Sequence, residues 1–404
     1  MKKRRVSLGF VIFIALILGI GAGIALQNYA DFTTEYLKPI GTIYVNILKL
    51  LVVPIVLFSI IDGVVSLGSV KKVGSIGWKT LVFFLITTAF AIVIGLLSAF
   101  IFKGSFPVLQ TAELEYEATS TKFMDVLTNI FPSNWLAPLL NADMLPTIVI
   151  ALLVGIGILL AKDDGKRVAE NFHSFYVVIM KIMNVVLWLT PIGVFCLMCN
   201  VIAVNGASIL TALGFVLLAA YIAYIVHAVV VYGLTVGIVA KINPIAFFKK
   251  MFPAMTTAFT TTSSNATLPL TIDCTNSLGA NKEVSAFVLP LGCTINMDGA
   301  AIYMGIISVF IAKCYGIDLS ASQLLTIVFT ATLASIGSAG VPGAAMVMLV
   351  MVLESVGLPV EGIALVVGID KLFDMGRTCL NVTGDAACAL AVDRIEKNRR
   401  NRKA

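Results

Sequence analysis

The sequence predicts an all-α polytopic membrane protein with eight transmembrane helices and two re-entrant helical hairpins. Three observations carry this reading. Of the 404 residues, 59% are hydrophobic and 12% charged, and the mean hydropathy is +1.00, well above that of water-soluble domains. Runs of 18 or more mostly apolar residues recur, each long enough as a helix to cross a hydrocarbon core of about 30 Å and too long for the alternating strands of an outer-membrane barrel. Beyond residue 250 the runs are broken by polar and Gly-Pro stretches, which a lipid-exposed span cannot carry.

MKKRR opens the chain and RIEKNRRNRKA closes it, and the positive-inside tendency puts both ends in the cytoplasm, which requires an even number of crossings. The tail lacks the interleaved aromatics and the soluble domain of a nucleic-acid site. Residues 6–26 form a first span; its apolar core is too long for a signal peptide and no small-x-small cleavage site follows. Spans at 43–67 and 81–102 flank a loop holding Lys71 and Lys72. Residues 104–143 are the longest polar stretch and read as an external loop. Spans at 145–161, 175–203 (with a kink expected at Pro191) and 209–240 complete the first part, and KINPIAFFKK at 241–250 returns basic charge to the inside.

The segment at 252–279 contains TTAFTTTSSNATLPLT, too polar to face lipid, and its Pro269 is expected to break a helix. Two short arms meeting at a polar tip fit it better than one crossing. Residues 284–312 are long enough to span but are interrupted by NMDGA at 296–300. A second hairpin is expected at 324–353 around SIGSAGVPG, and a last span at 362–392. Hairpin, span, hairpin, span suggests inverted repeats whose tips meet near the midplane, a pattern that points to a transport site.

The last span holds the most telling residues. Asp370, Asp374, Arg377, Asn381 and Asp385 fall within roughly 80° of one helical face, and Thr378 widens the stripe only slightly. Ionised groups at membrane depth cost several kcal/mol each unless they face protein, water or ions, so a functional site is the default. Carbonyls at NMDGA and at 335–338, with Asp298 and Asp385, offer the oxygen ligands that hard cations prefer. Asp298, Asp370, Asp374 and Asp385 against Arg377 leave three excess negative charges, which calls for bound cations or protons. An anionic substrate with an ammonium group would dock its acid on the Arg377 fork and its amine on Asp374. The seven cysteines lie in or beside apolar runs; Cys196 and Cys199, spaced CxxC, read as small buried side chains. His173 and His227 are far apart and read as packed or interfacial residues rather than ligands.

TTTSSNATLPLT, NMDGA, SIGSAGVPG and DMGRTCLNVTGD, in this order and spacing, resemble the glutamate/aspartate transporter family of dicarboxylate and amino acid:cation symporters. The resemblance implies a homotrimer in the inner cell membrane. Residues 1–240 would form mainly a scaffold, with the third helix moving with the transport part. Residues 241–393 would form a core that moves as an elevator, and 394–404 a basic tail. It implies substrate contacts at Ser264, Asn265, Ala300, Asp374, Arg377, Thr378, Asn381 and the backbone of Gly340 and Val341, with Asp370 supporting Arg377. It implies one sodium site at Gly292, Asn296, Asn381 and Asp385, a second on the backbone of Thr294, Ser335, Ile336 and Ser338, and a third at Phe84, Thr87, Thr88, Asn296 and Asp298. No organic cofactor is implied.

Two departures bear on the substrate. Ala300 stands where acidic-substrate members carry a threonine, and Asn265 where a third serine is common. Neither Thr262 nor Met375 is the arginine that members place at one of these positions. The expected activity is sodium-coupled uptake of L-glutamate or L-aspartate, with C4-dicarboxylates, neutral amino acids or cystine, and proton coupling, as alternatives. An intramembrane aspartyl hydrolase fits less well, because VTGD at 382–385 lacks the first glycine of GxGD. A plain ion channel shares the oxygens but leaves Arg377 and two gates without a use.

Overall fold

A computed structural model describes residues 8–73, 75–109, 128, 131–141, 143–206, 208–337 and 344–401. The described residues are helical with short connections. Four helical stretches are long and apolar enough to cross a membrane, at 27–65, 75–105, 209–240 and 282–314, and shorter apolar helices lie at 10–25, 146–160 and 321–335. Among the described residues, those of the expected spans are mostly helical.

The outer framework is built around α2 (Lys38–Val73), which packs against α4 (Met144–Leu160), α5 (Lys166–Leu187) and α6 (Thr190–Asn205), while α1 (Leu8–Ala25) lies along α6. The kink expected at Pro191 is a bend of 49° between α5 and α6, with the proline in the first turn of α6, where its missing N–H breaks no intrahelical bond. Helix α3 (Ser75–Phe102) follows α2, and α7 (Ser208–His227) continues through π-helical turns to Ala240.

The inner part is made of α8 (Pro244–Thr261) and α9 (Ser264–Ser277), then α10 (Lys282–Ile295) and α11 (Asp298–Cys314). They are followed by α12 (Ala321–Gly337), α13 (Ala344–Ser355) and α14 (Asp370–Asn401). Helices α8 and α9 pack on each other, and so do α12 and α13. The second part of SIGSAGVPG, residues 338–343, lies outside the described residues. Helix α14 touches α8 to α11, and α3 runs along α11. Helix α11 is buried at every residue except Lys313, so its apolar character all round suits a core helix.

One local expectation is corrected. Pro269 does not break the hairpin arm but sits inside α9, as Pro290 sits inside α10. The ring removes the donor that would bond the Asn265 carbonyl, and Pro269 and Asn265 are both exposed, so the unpaired group is not stranded in the interior. Instead the chain turns at Thr262, which caps α8 with φ +52°. This left-handed conformation costs a non-glycine residue about 1–2 kcal/mol. Ser263 then caps α9 by accepting from the Ala266 N–H at 3.2 Å.

Candidate functional site

Helix α14 begins at Asp370, so the polar stripe occupies its first five turns, and Asp370, Asp374, Arg377, Thr378, Asn381 and Asp385 are all buried. Buried charges are tolerable only when paired. Arg377, 2% exposed, lies between two carboxylates: Nη1 is 3.1 Å from Asp370 Oδ1 and Nη2 is 3.1 Å from Asp374 Oδ1. The guanidinium stacks over Tyr303 at 4.4 Å from the ring centroid, a cation–π contact in a desolvated setting. Its Nε is buried and has no hydrogen-bond acceptor among the described residues. Thr378 donates to the Asp374 carbonyl at 2.8 Å.

Lys371 adds a cation that the sequence count omitted. Its ammonium donates to Thr262 Oγ1 at the hairpin turn and lies 3.7 Å from Asp374 Oδ2. Four acids against Arg377 and Lys371 therefore leave two excess negative charges instead of three.

A second cluster forms where α10 ends and α11 begins. Asn296 Nδ2 donates to the Asn381 carbonyl and to Asp385 Oδ1, both at 2.9 Å, while Asn296 Oδ1 is buried without a donor among the described residues. Asn381 Oδ1 accepts from the Gly299 N–H at 2.8 Å. Gly299 is glycine because a Cβ there would sit 2.6 Å from the Arg377 Cα and carbonyl oxygen. Gly292 faces Asp385 in the same way, since a Cβ would collide with the carboxylate. Carboxylate, amide and backbone carbonyl oxygens thus lie together, the donor types that hard cations take.

Asp298 is a third focus. Thr88 donates to its Oδ1 at 2.7 Å and Tyr232 to its Oδ2 at 2.7 Å, with His227 Nε2 3.1 Å from Oδ2. The adjacent threonines divide their roles: Thr87 bonds back to the Phe84 carbonyl at 3.2 Å, while Thr88 reaches across to α11. The reading of His227 as a packed residue holds in that it is fully buried, yet it packs on a site carboxylate.

The remaining expected residues are spread around these clusters. Ser264 is buried at the start of α9, whereas Asn265 beside it is exposed. Ala300 is buried one residue beyond Gly299 and offers no hydroxyl. Thr294 is exposed at the end of α10, which touches α12, the arm carrying buried Ser335 and the backbone of Ile336. Ser338, Gly340 and Val341 lie outside the described residues. Tyr303, Lys371, His227 and Tyr232 were missed from the sequence, although a histidine inside an apolar span is itself a signal.

Comparison with known proteins places nearly the whole chain in a family. The model of the sodium:dicarboxylate symporter family matches residues 8–395. A proton/sodium-glutamate symport protein of Geobacillus stearothermophilus is 34% identical over 97% of this chain and 95% of its own length. The proton/glutamate-aspartate symporter of Escherichia coli K12 is 33% identical over 100% and 96%. Excitatory amino acid transporter 1 of Ambystoma tigrinum is 31% identical over 96% and 83%. With nearly its whole length matched, the chain is an integral membrane protein that belongs to the sodium:dicarboxylate symporter family.

Proposed function

We propose that the protein is a sodium-coupled symporter of L-aspartate and L-glutamate in the cytoplasmic membrane. The observation that carries this is the Arg377 guanidinium, buried on α14 with Asp374 beside it and with Nε unmatched by any acceptor among the described residues. A carboxylate that accepts from Nε and one terminal nitrogen satisfies a planar fork bidentately. Asp374 accepts the α-ammonium, and Thr378 and Asn381 with the turns at Ser264–Asn265, Gly340–Val341 and Ala300 enclose the rest. Asp370 holds the guanidinium from behind.

Cations follow from the charge balance. With two negative charges in excess, sodium at Gly292, Asn296, Asn381 and Asp385 neutralises the site and draws α10 and α14 together. A second ion sits on the backbone of Thr294, Ser335, Ile336 and Ser338. A third sits among Phe84, Thr87, Thr88, Asn296 and Asp298. Because each ion offsets charge that the substrate's acids would otherwise meet, ion and substrate bind more tightly together than apart, which is the thermodynamic meaning of coupling.

The broader architecture in this proposal has eight crossings, two re-entrant hairpins as inverted repeats, and both termini in the cytoplasm. A homotrimeric scaffold stands still while residues 241–393, with α3, move as an elevator. The packing of α3 along α11 supports its place in the moving part. Ala300, without a hydroxyl, favours a second reading in which a C4-dicarboxylate or a neutral amino acid is carried.

Isothermal titration of the purified protein tests the reading. L-Aspartate should bind in sodium chloride and not in choline chloride of equal ionic strength, and L-serine should not compete. Equal aspartate binding in both salts would overturn sodium coupling, and preference for serine or succinate would overturn the substrate.

A further inference from the structure

We propose that Lys371 is a tethered counter-cation that occupies the substrate-ammonium position on Asp374 and so sets the preference between amino acids and dicarboxylates. The proposal rests on the reading of Asp374 as the ammonium partner, and it identifies what holds that partner when no ammonium is bound.

Asp374 has two oxygens, and each faces a cation of this chain. Oδ1 is 3.1 Å from Arg377 Nη2 and Oδ2 is 3.7 Å from Lys371 Nζ. Around the pair the charges balance, with Asp370 and Asp374 against Lys371 and Arg377. An arriving ammonium therefore finds no unpaired acid and must displace a resident cation. Arg377 cannot yield, since it is buried, stacked on Tyr303 and held by Asp370 as well. Lys371 can. Its side chain is 27% exposed, its contact with Asp374 is long, and it has a second anchor on Thr262 Oγ1 to which it can retreat. Lys371, Thr262, Asp370 and Asp374 line one cavity of about 480 Å³, so the ammonium has room to swing away from Asp374. A lysine suits this part better than an arginine, because its charge is compact and its stem flexible.

The two substrate classes then differ in what they ask of Lys371. An α-amino acid must push it off Asp374, which weakens binding by the worth of a partly exposed ion pair. A dicarboxylate without an amine leaves it in place, and Lys371 keeps Asp374 neutralised beside the incoming acid. Lys371 thus lowers affinity for aspartate and raises it for succinate.

The test measures binding of L-aspartate and of succinate at saturating sodium to the full-length wild type, Lys371→Gln and Lys371→Arg. In Lys371→Gln, aspartate should bind about 2- to 5-fold tighter, the factor expected for losing a competing exposed pair. Succinate should bind roughly tenfold weaker or more, because Asp374 is left without its second cation. Lys371→Arg should keep the wild-type ratio within about threefold. The ratio within one variant cancels any loss of folded protein. A ratio unchanged in Lys371→Gln, or both affinities falling together, means Lys371 only braces the hairpin turn and overturns the proposal alone. Wild type that binds neither ligand in sodium overturns the substrate reading and the proposal with it.

Discussion

Gly292→Ala tests whether Asp385 holds a cation, without touching Arg377. An ideal Cβ on Gly292 would lie 2.6 Å from Asp385 Cγ and 3.1 Å from its Cβ, with Oδ1 nearer still. Carbon atoms pack at about 3.5 Å or more, so the carboxyl carbon must retreat by roughly 0.9 Å. What stands in the way is the end of a side chain and not backbone, so the protein folds and the carboxylate moves. Forcing an off-rotamer side chain costs about 0.5–1.5 kcal/mol, and overpacking a dense interior about 1–3 kcal/mol. A net loss of roughly 2–3 kcal/mol on the sodium-bound form raises the sodium concentration for half-saturation by about 30- to 150-fold. The assay titrates L-aspartate binding against sodium. At saturating sodium, aspartate affinity should return to near the wild-type value, because the substrate groups on α14 are untouched. A half-saturation within threefold of wild type, in protein that still melts cooperatively, would refute Asp385 as a ligand.

Three other outcomes are expected. Arg377→Gln removes the partner of two buried acids, and truncating such a pair costs about 2–5 kcal/mol, so aspartate uptake should fall at least ~30-fold while sodium still raises the melting midpoint. Undiminished aspartate uptake would count against the assignment. Tyr232→Phe deletes the 2.7 Å bond to Asp298, and a hydrogen bond to a charged group is worth about 1.5–3 kcal/mol, so its melting midpoint in detergent should drop; an unchanged midpoint means the bond does not support Asp298. At the C-terminal end of α14, burial pushes the Glu396 carboxyl up, but hydrogen bonds from Lys79 and from Ser75 (2.5 Å) outweigh it and hold it below the ordinary glutamate value of 4.5. A lowered folded-state value means that Glu396 contributes stability above that ordinary value and loses it as the pH falls further. The melting gap between wild type and Glu396→Gln, worth roughly 1 kcal/mol at pH 7, should narrow as the pH is taken below 4.5.

The helices and the α14 stripe were legible because both depend on local pattern. Apolar runs set the spans, and a 100° period places Asp370 to Asp385 on one face whatever packs against it. NMDGA gave away the break between α10 and α11, since Asn-Met-Asp-Gly favours neither lipid nor an uninterrupted helix. What escaped was set by tertiary approach. Nothing local says that Tyr303 lies over Arg377 or that Tyr232, 66 residues away, donates to Asp298. Lys371 was in view but was left out of the charge balance, since helical spacing alone points it off the stripe and only the Thr262 turn brings its ammonium back. Pro269 misled because one lost backbone bond at an exposed position does not end a helix, and α9 runs on through it to Ser277.

Uptake of radiolabelled L-aspartate into proteoliposomes tests the central claim most directly, with an inward sodium gradient in one arm and choline replacing sodium in the other. Accumulation above the external concentration is expected only in sodium, competed away by unlabelled glutamate and lost in Arg377→Gln. Equal uptake in both arms, or sodium-driven uptake of serine or succinate in place of aspartate, would contradict it.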